Sequence, residues 1–578
     1  MDFPTLIAAL EHRAAYQPGR VAFRFLATGE EETALLRYEA LQARALSVAA
    51  HLAERAAPGS RALLAYAPGL DFVVGFFACL QAGLVAVPVQ APRRSQSFDK
   101  LRGIVQDCDA RLVLTDAGLH GMLAERLQEC GLADGTALVD TAALPFRGLP
   151  APLPAVEPGH LAFLQYTSGS TGAPKGVCVT HAQIVANSRM IARGFGYDRD
   201  TVMVSWLPMF HDMGLIGSVI QPVHTGFECV LMPPAAFVQK PMRWLRAIAR
   251  YGATTAGGPN FGYDLCVQRA RDDDLGEVDL SSWVNAYNGA EPVRAATLRA
   301  FCERFAPHGF RREALLPCYG LAEATLLVCG APVRGGARTL RVDADACAQG
   351  RVEPVAEDGL APAADPLAIV SCGVMPEGVD ASLRIVDPET RVALPPGRIG
   401  EICVAGPHVL AGYWSGDGPA PLGDKAWIDP ASGVAHFRTG DLGFEHAGEL
   451  HVCGRLKDLI IVKGRNLFPQ DIEARVESEH EAFERNASAA FTIDVGTEER
   501  LVVLQEIRRE HRHRLDDAEC RARVRAAIAR EFDVALHDIV FLPQLSLPKT
   551  SSGKIMRRSC RALYLERLAA QTAAPTPG

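Results

Sequence analysis

Leu161–Gly176 reads LAFLQYTSGSTGAPKG. An apolar, strand-like run passes straight into a loop with four Ser/Thr hydroxyls, three glycines and a lysine. These are the parts of a polyphosphate cradle. Gly169 and Gly172 let backbone N–H groups approach oxygen atoms closely. Thr167, Ser168, Ser170 and Thr171 can donate hydrogen bonds, and Lys175 brings positive charge. The loop is not of the G-x-x-x-x-G-K-[ST] kind, because Pro174 precedes the lysine and Gly176 follows it. Ser/Gly loops are often plain linkers. The abutting strand and the closing lysine favour the cradle.

On the N-terminal side, Arg61–Tyr66, Leu84–Val89 and Arg111–Thr115 read as short buried strands, with helices over Leu41–Arg55 and Phe72–Gln81. That alternation predicts α/β units with largely parallel sheets. Phe72–Val89 is apolar and long enough to span a bilayer. It also contains Gly75, Gly83 and Pro88 and ends in LVAVPV, so a buried helix followed by a buried strand explains it better. Towards the C-terminus, Pro and Gly break Ser382–Gly406 into the short strands of a small β-rich subdomain. Past Arg455 the texture becomes α+β. Asp458–Val462 is strand-like, and Gln470–Glu479 and Asp516–Phe532 are helix-like. Ala, Pro and Asp dominate Arg334–Asp365, a composition of loop or surface insertion.

The 578 residues allow three or four units at about 150 residues each, and the 48% hydrophobic, 22% charged composition is ordinary for a globular chain. Lys and Arg number 59 against 67 Asp and Glu, a net charge of −8. Nucleic-acid binding needs a basic footprint and is not expected. None of the fifteen cysteines forms a CxxC pair. Reduced, buried thiols in a cytoplasmic protein are the expectation. The opening MDFPTLIAALEHRA lacks the basic start of a signal peptide.

The loop resembles the phosphate-loop signature of the adenylate-forming superfamily: acyl-CoA synthetases, peptide-synthetase adenylation domains and luciferases. Further motifs follow in that family's order: WLPMFHDMGLIG (Trp206–Gly217), NGAEPV (Asn288–Val293), CYGLAEATL (Cys318–Leu326), FRTGDLGF (Phe437–Phe444), GRLKDLIIVKGRN (Gly454–Asn466) and LPKTSSGK (Leu547–Lys554). The resemblance covers residues 10 to 565. It implies a large N-terminal domain, 1–455, of α/β subdomains plus the β-rich piece. A small, mobile α+β domain, 456–570, follows, and 571–578 is expected to be a disordered tail.

The family reaction joins a carboxylate to the α-phosphate of ATP and releases pyrophosphate. The resemblance makes Glu323 the Mg²⁺-associated carboxylate, a hard ligand suited to that ion. Tyr319, Gly320 and Leu321, with Asn288, Gly289, Ala290 and Glu291, would surround the adenine and sugar, with exposed amides near Gly289. Asp441 and Arg455 would reach the ribose. Lys554 would bridge carboxylate and α-phosphate oxygens, and Lys457 would be the hinge. His211 would gate the acyl pocket; neither a metal site nor a general base is needed there, since a carboxylate substrate is already ionised. Phe210, Met232, Gly258 and Phe261 are candidates for an apolar pocket, where each buried methylene is worth about 0.8 kcal/mol.

FHDMGLIG, GGPNFGYDLC (Gly257–Cys266) and IIVKGRNLFPQDIE (Ile460–Glu473) resemble one branch closely, the fatty acyl-AMP ligases. These pass the acyl group to the phosphopantetheine arm of an acyl carrier protein. In that branch an insertion at the place of Arg334–Asp365 hinders the coenzyme-A-using conformation. The basic runs Arg508–Arg514 and Arg557–Arg561 suit an acidic carrier, although such runs are often only solvated faces. An acyl-CoA synthetase would use the same residues. An amino-acid-activating domain would need an acidic side chain near Met232–Phe237, and a non-catalytic nucleotide scaffold would be expected to lack Lys554, Glu323 or Asp441.

Overall fold

The computed structural model describes residues 3–92, 97–148, 152–168, 174–276, 278–355, 367–462, 465–495, 498–512, 515–550 and 553–573. They form two compact units. One comprises Met1–Ala337, Cys372–Leu383 and Val404–Arg438. The other comprises Arg338–Ser371, Arg384–Cys403 and Thr439–Gly578.

The first unit holds two eight-stranded sheets. One has the order Leu327–Gly330, Leu315–Gly320, Asn285–Asn288, Thr255–Gly258, Val202–Ser205, Glu228–Leu231, Val21–Phe25, Ala34–Arg37. Its inner strands are parallel and its two edge strands antiparallel. Parallel strands are covered on both faces and so read as continuous apolar or small-residue runs. The other sheet runs Pro419–Ala420, Tyr413–Trp414, Pro174–Thr180, Leu161–Ser168, Val85–Pro88, Arg61–Leu64, Leu112–Thr115, Ala137–Asp140. Here Leu161–Ser168 turns back antiparallel into Pro174–Thr180. The phosphate loop therefore joins two strands of a hairpin. Helix His181–Gly194 begins only after the second strand, where Thr180 and Gln183 form a reciprocal capping box.

The strands and helices expected before the loop are present, shortened or extended by a few residues: Arg61–Leu64, Val85–Pro88, Leu112–Thr115, Tyr38–Ala53 and Leu70–Gln81. Phe72–Val89 is a buried helix and strand, and no described helix is long and apolar enough to cross a membrane. Among the described residues no cysteine forms a disulfide, and Cys79, Cys178 and Cys403 are buried. The β-rich stretch Ser382–Gly406 contributes Ser382–Val386 and Gly400–Ala405 to a smaller sheet with Ala435–His446, Ala426–Ile428 and Glu449–Arg455.

In the second unit, Phe483–Val495, Glu498–Ile507 and Leu536–Pro543 form a three-stranded sheet. Side chains alternate across it. Leu501 and Val503 pack with Ile472, Val476, Val524 and Ile528 from helices Pro469–Ser478 and Asp517–Phe532. Val502 and Leu504 pack on the other face with Cys560 and Tyr564 of helix Arg557–Ala573. Arg557 is half-buried and ion-paired with Glu473 at 2.6 Å and Asp458 at 3.3 Å. Arg557→Ala would strand Glu473, which is only 2% exposed. Breaking such a pair costs about 3–5 kcal/mol. Thermal and denaturant unfolding check this, and an unshifted transition contradicts it.

Three expectations are corrected. Arg334–Asp365 is not loop throughout. Thr339–Val342 pairs antiparallel with Leu367–Val370, and helix Ala344–Ala348 is capped by Asp343. Val342 is fully buried while Thr339 and Arg341 are exposed, an alternation hidden by the Ala/Pro/Asp bias around it. Residues 356–365 lie outside the described residues. Asp458 sits in a 3-10 turn, Leu456–Asp458, and only Ile460–Val462 is strand. Finally, Gln571–Ala573 are the end of a helix, whereas 574–578 lie outside the described residues.

The inserted segment has a specific neighbour. Val342, Cys347 and Ile369 share one apolar core with Leu442, Phe444 and Cys453, which precede Lys457 in the chain. The same core holds Leu459 and Phe468, which follow it. Arg465 adds an ion pair to Asp345.

Candidate active site

In the first unit several of the motifs meet on one edge of a sheet. Trp206 follows Val202–Ser205 and Met232 follows Glu228–Leu231. Gly258, Asn288 and Gly320 end their own strands. Open α/β sheets bind ligands at the carboxyl ends of parallel strands.

Asn288 is fully buried, and neither polar atom of its amide has a hydrogen-bond partner among the described residues. An unsatisfied buried amide is costly unless a ligand completes it. Gly289 is buried, contrary to the exposed amides expected there. A Cβ on it would lie 2.8 Å from Cys318 Sγ and 2.9 Å from the Cys318 carbonyl, so only glycine fits. Ala290 takes a φ of 68° to turn the chain. Glu291 Oε1 accepts from Phe261 N at 2.7 Å. It thereby ties this loop to helix Asn260–Arg269. Asn288→Leu should raise the melting temperature of the free protein and weaken ATP binding roughly tenfold. Melting curves and calorimetric titration with ATP check both; wild-type ATP affinity would contradict the assignment.

Tyr319 is buried, and a Cβ on Gly320 would come within 1.9 Å of the Leu326 carbonyl. Leu321 closes this turn by donating to the same carbonyl. Glu323 lies on the 3-10 turn Ala322–Ala324, half-buried, and its Oε1 accepts from Tyr413 Oη at 2.8 Å. Burial and that carboxylate push the Tyr413 phenol above its usual range, which keeps its proton on. His408 lies behind the turn and accepts from Thr325 Oγ1 through its carbonyl at 2.7 Å. Burial lowers the His408 imidazole to about 4, so it is neutral at pH 7.

Thr167 stands opposite Lys175 across the phosphate hairpin. Lys175 lies 5.6 Å from the Tyr413 ring centroid. Gly169, Ser170, Thr171, Gly172 and the Ser168 side chain lie outside the described residues. On the strand before them, Gln165 is buried and donates to the Phe210 carbonyl at 3.0 Å. Phe210 stands beside His211, ring centroids 4.8 Å apart. His211 stands just before the short helix Asp212–Leu215, which runs into a π-helical turn, Ile216–Ile220. π-turns recur at functional sites. Trp206 stacks on Phe237 at 4.0 Å and meets Phe261 edge-on at 5.7 Å. A Cβ on Gly258 or Gly262 would come within 2.7 or 2.8 Å of the indole, so the two glycines make room for it. Met232 is buried at the end of its strand.

The remaining candidates belong to the second unit. Asp441 and Arg455 are direct cross-strand partners and form an ion pair at 3.1 Å. The strand just before Asp441 is fixed by Thr439, which donates to the Ile402 carbonyl, and by Glu401, which accepts from Gly440 N at 3.0 Å. Lys457 lies in the 3-10 turn after Arg455. Lys554 closes a tight turn. Its N–H donates to Thr550 Oγ1 at 3.1 Å and its carbonyl accepts from Thr550 N at 2.8 Å.

Known proteins resemble this chain along nearly its whole length. Residues 10–414 match the family model of AMP-binding enzymes, and residues 457–573 match the AMP domain of the Disco-interacting-protein-2-like family. The medium-chain-fatty-acid–[acyl-carrier-protein] ligase JamA of Moorena producens is 39% identical over 98% of this chain and 96% of its own length. This chain belongs to the AMP-binding enzymes, in their fatty acyl-AMP ligase branch. A structure from a study of fatty acyl-adenylate ligases of E. coli and L. pneumophila superposes with a TM-score of 0.86 at 32% identity, covering 99% of both chains. The L. pneumophila fatty acyl-adenylate ligase in complex with acyl adenylate and pyrophosphate gives 0.75 at 36% identity, covering 98% and 97%.

AMP-binding enzymes use ATP, and the residues present fit a divalent cation that arrives with it. Glu323 offers a single hard carboxylate with one oxygen already anchored. Mg²⁺ takes few protein oxygens and completes its shell with phosphate and water. No cluster of three or more His, Cys, Asp or Glu forms a self-contained metal cage among the described residues. Two residues that contact the candidates went unread in the sequence: Gln165 and Tyr413. Trp206 lies in the stretch Trp206–Gly217 from which pocket residues are expected, but its stacking on Phe237 is not legible there. The partners of Gln165 and Tyr413 lie 45 and 90 residues away, and no local pattern marks them.

Proposed function

We propose that the protein activates a fatty acid as its acyl-adenylate and transfers the acyl group to the phosphopantetheine thiol of an acyl carrier protein. A carboxylate oxygen of the fatty acid attacks the α-phosphorus of ATP. The α–β anhydride bond breaks, and pyrophosphate leaves with the electron pair. The hairpin with Thr167 and Lys175 holds the triphosphate, Asn288–Glu291 and Tyr319–Leu321 hold the base and sugar, and Asp441 with Arg455 hold the ribose. Lys554 meets the negative charge shared by the carboxylate and the α-phosphate. Mg²⁺, held by Glu323 and phosphate oxygens, would offset triphosphate charge. In the second step the carrier thiolate attacks the acyl carbonyl and AMP leaves.

The C-terminal segment 456–570 is proposed to move about Lys457 between the two steps. One observation favours a carrier over coenzyme A. The segment Arg338–Ser371 joins residues before and after Lys457 in a single apolar core. Rotation at Lys457 would have to tear that core, which suits an enzyme that holds its adenylate until a partner arrives. Buried Met232, Ala236 and Phe237 suit an alkyl chain and offer no carboxylate to an amino group. Similarity to a medium-chain ligase favours medium chains, and reduced thiols fit a cytoplasmic setting. Pyrophosphate release measured with fatty acids of increasing length, and again with amino acids, tests this. Release that depends on a fatty acid supports it, and release only with amino acids overturns it.

A further inference from the structure

Tyr413 touches both charged groups that the proposed adenylation requires in the first unit. Its hydroxyl donates to Glu323 Oε1 at 2.8 Å, and the Lys175 ammonium lies 5.6 Å from its ring centroid. Its backbone is anchored independently of either contact. Tyr413 pairs with Val177, two residues past Lys175, and the Gly412 carbonyl accepts from Cys178 N at 3.3 Å. Leu410 N donates to the Glu323 carbonyl at 2.8 Å, and the His408 carbonyl accepts from Thr325 Oγ1 at 2.7 Å. Residues 408–413 therefore grip both the strand leaving the phosphate loop and the turn carrying Glu323. Thr325, in that turn, has φ 62° and ψ −65°. A β-branched residue keeps such a backbone only where its surroundings enforce it.

We propose that Tyr413 is a positioning residue for adenylation. It holds the Glu323 carboxylate by one oxygen, leaving the other to the divalent cation of the ATP complex. It also keeps Lys175 over its ring rather than against that carboxylate. Lys175 and Glu323 carry opposite charges and touch the same side chain. With the tyrosine removed, they pair with each other, and each is lost to the nucleotide. The inference rests on the roles given above to Glu323 and Lys175.

The test is titration of Mn²⁺ into the enzyme with α,β-methylene-ATP, followed by electron paramagnetic resonance. Loss of one charge-assisted hydrogen bond predicts roughly tenfold weaker Mn²⁺ binding for Tyr413→Phe. The melting temperature and the KM for fatty acid should stay near those of the native enzyme. Tyr413→Leu, which also removes the ring beneath Lys175, should in addition weaken the analogue itself without metal. In a Glu323→Gln background, adding Tyr413→Phe should change Mn²⁺ binding no further. Native-like Mn²⁺ binding by Tyr413→Phe, or effects that simply add, overturns the inference. If Glu323→Gln alone binds Mn²⁺ as the native enzyme does, the reading of Glu323 fails instead.

Discussion

Lys554→Ala should slow fatty-acid-dependent pyrophosphate release by about two to three orders of magnitude, the size of effect seen when one preorganised charge-stabilising donor is removed. The turn that presents Lys554 is braced by several bonds of its own. Backbone and Thr550 bonds close it, Lys549 and Ile555 bridge across it, and Lys549 Nζ is held by the Asn486 carbonyl at 2.8 Å. Glu506 accepts from Leu547 N at its entry. Alanine keeps these bonds and removes the charge. Lys554→Arg should restore little, because a planar guanidinium does not replace a compact ammonium between two oxygens. Transfer of the acyl group from synthetic acyl-AMP to the carrier should change far less, since no α-phosphate is attacked in that step. Pyrophosphate release at the native rate would sink the role given to this lysine.

Cutting out residues 343–366 should turn the enzyme toward coenzyme A. Val342 and Leu367 face each other in register, so a two-residue Asn-Gly turn closes the gap without disturbing the strands. The cut removes Cys347 and Val352 from the core around Lys457, and Asp345 from Arg465. Fully burying one such side chain is worth about 1.5 kcal/mol or more, a factor of roughly ten in a two-state equilibrium. Acyl-CoA formation should rise at least by that order. Cys347→Asp and Arg465→Ala should move in the same direction by less. Unchanged rejection of coenzyme A by all three would mean that the core does not restrain the hinge.

Continuous apolar runs made the parallel strands legible, because buried strands need no polar face. Arg61–Leu64 and Val85–Pro88 are found where they were expected. The hairpin at the phosphate loop is less visible, since Pro174, Lys175 and Gly176, which open the strand Pro174–Thr180, read as loop. Asp458 was read into a strand because of the Ile-Ile-Val run beside it. Its carboxylate instead reaches Arg557, 99 residues later, and that pairing draws it into a turn. The hidden strand Thr339–Val342 shows the same limit, since its partner lies beyond an insertion whose composition says loop. The motif residues could be quoted one by one. The gathering of Trp206, Met232, Gly258, Asn288 and Gly320 on a single sheet edge, the orphaned Asn288 amide and the grip of Tyr413 on Glu323 are products of topology.

The most direct test of carrier-dependent acyl-AMP ligation is to incubate the native enzyme with ATP, Mg²⁺, labelled dodecanoic acid and excess coenzyme A, and to resolve the products. The label should remain as acyl-AMP until phosphopantetheinylated carrier protein is added, and then move to the carrier. Conversion to acyl-CoA before the carrier is added would contradict it.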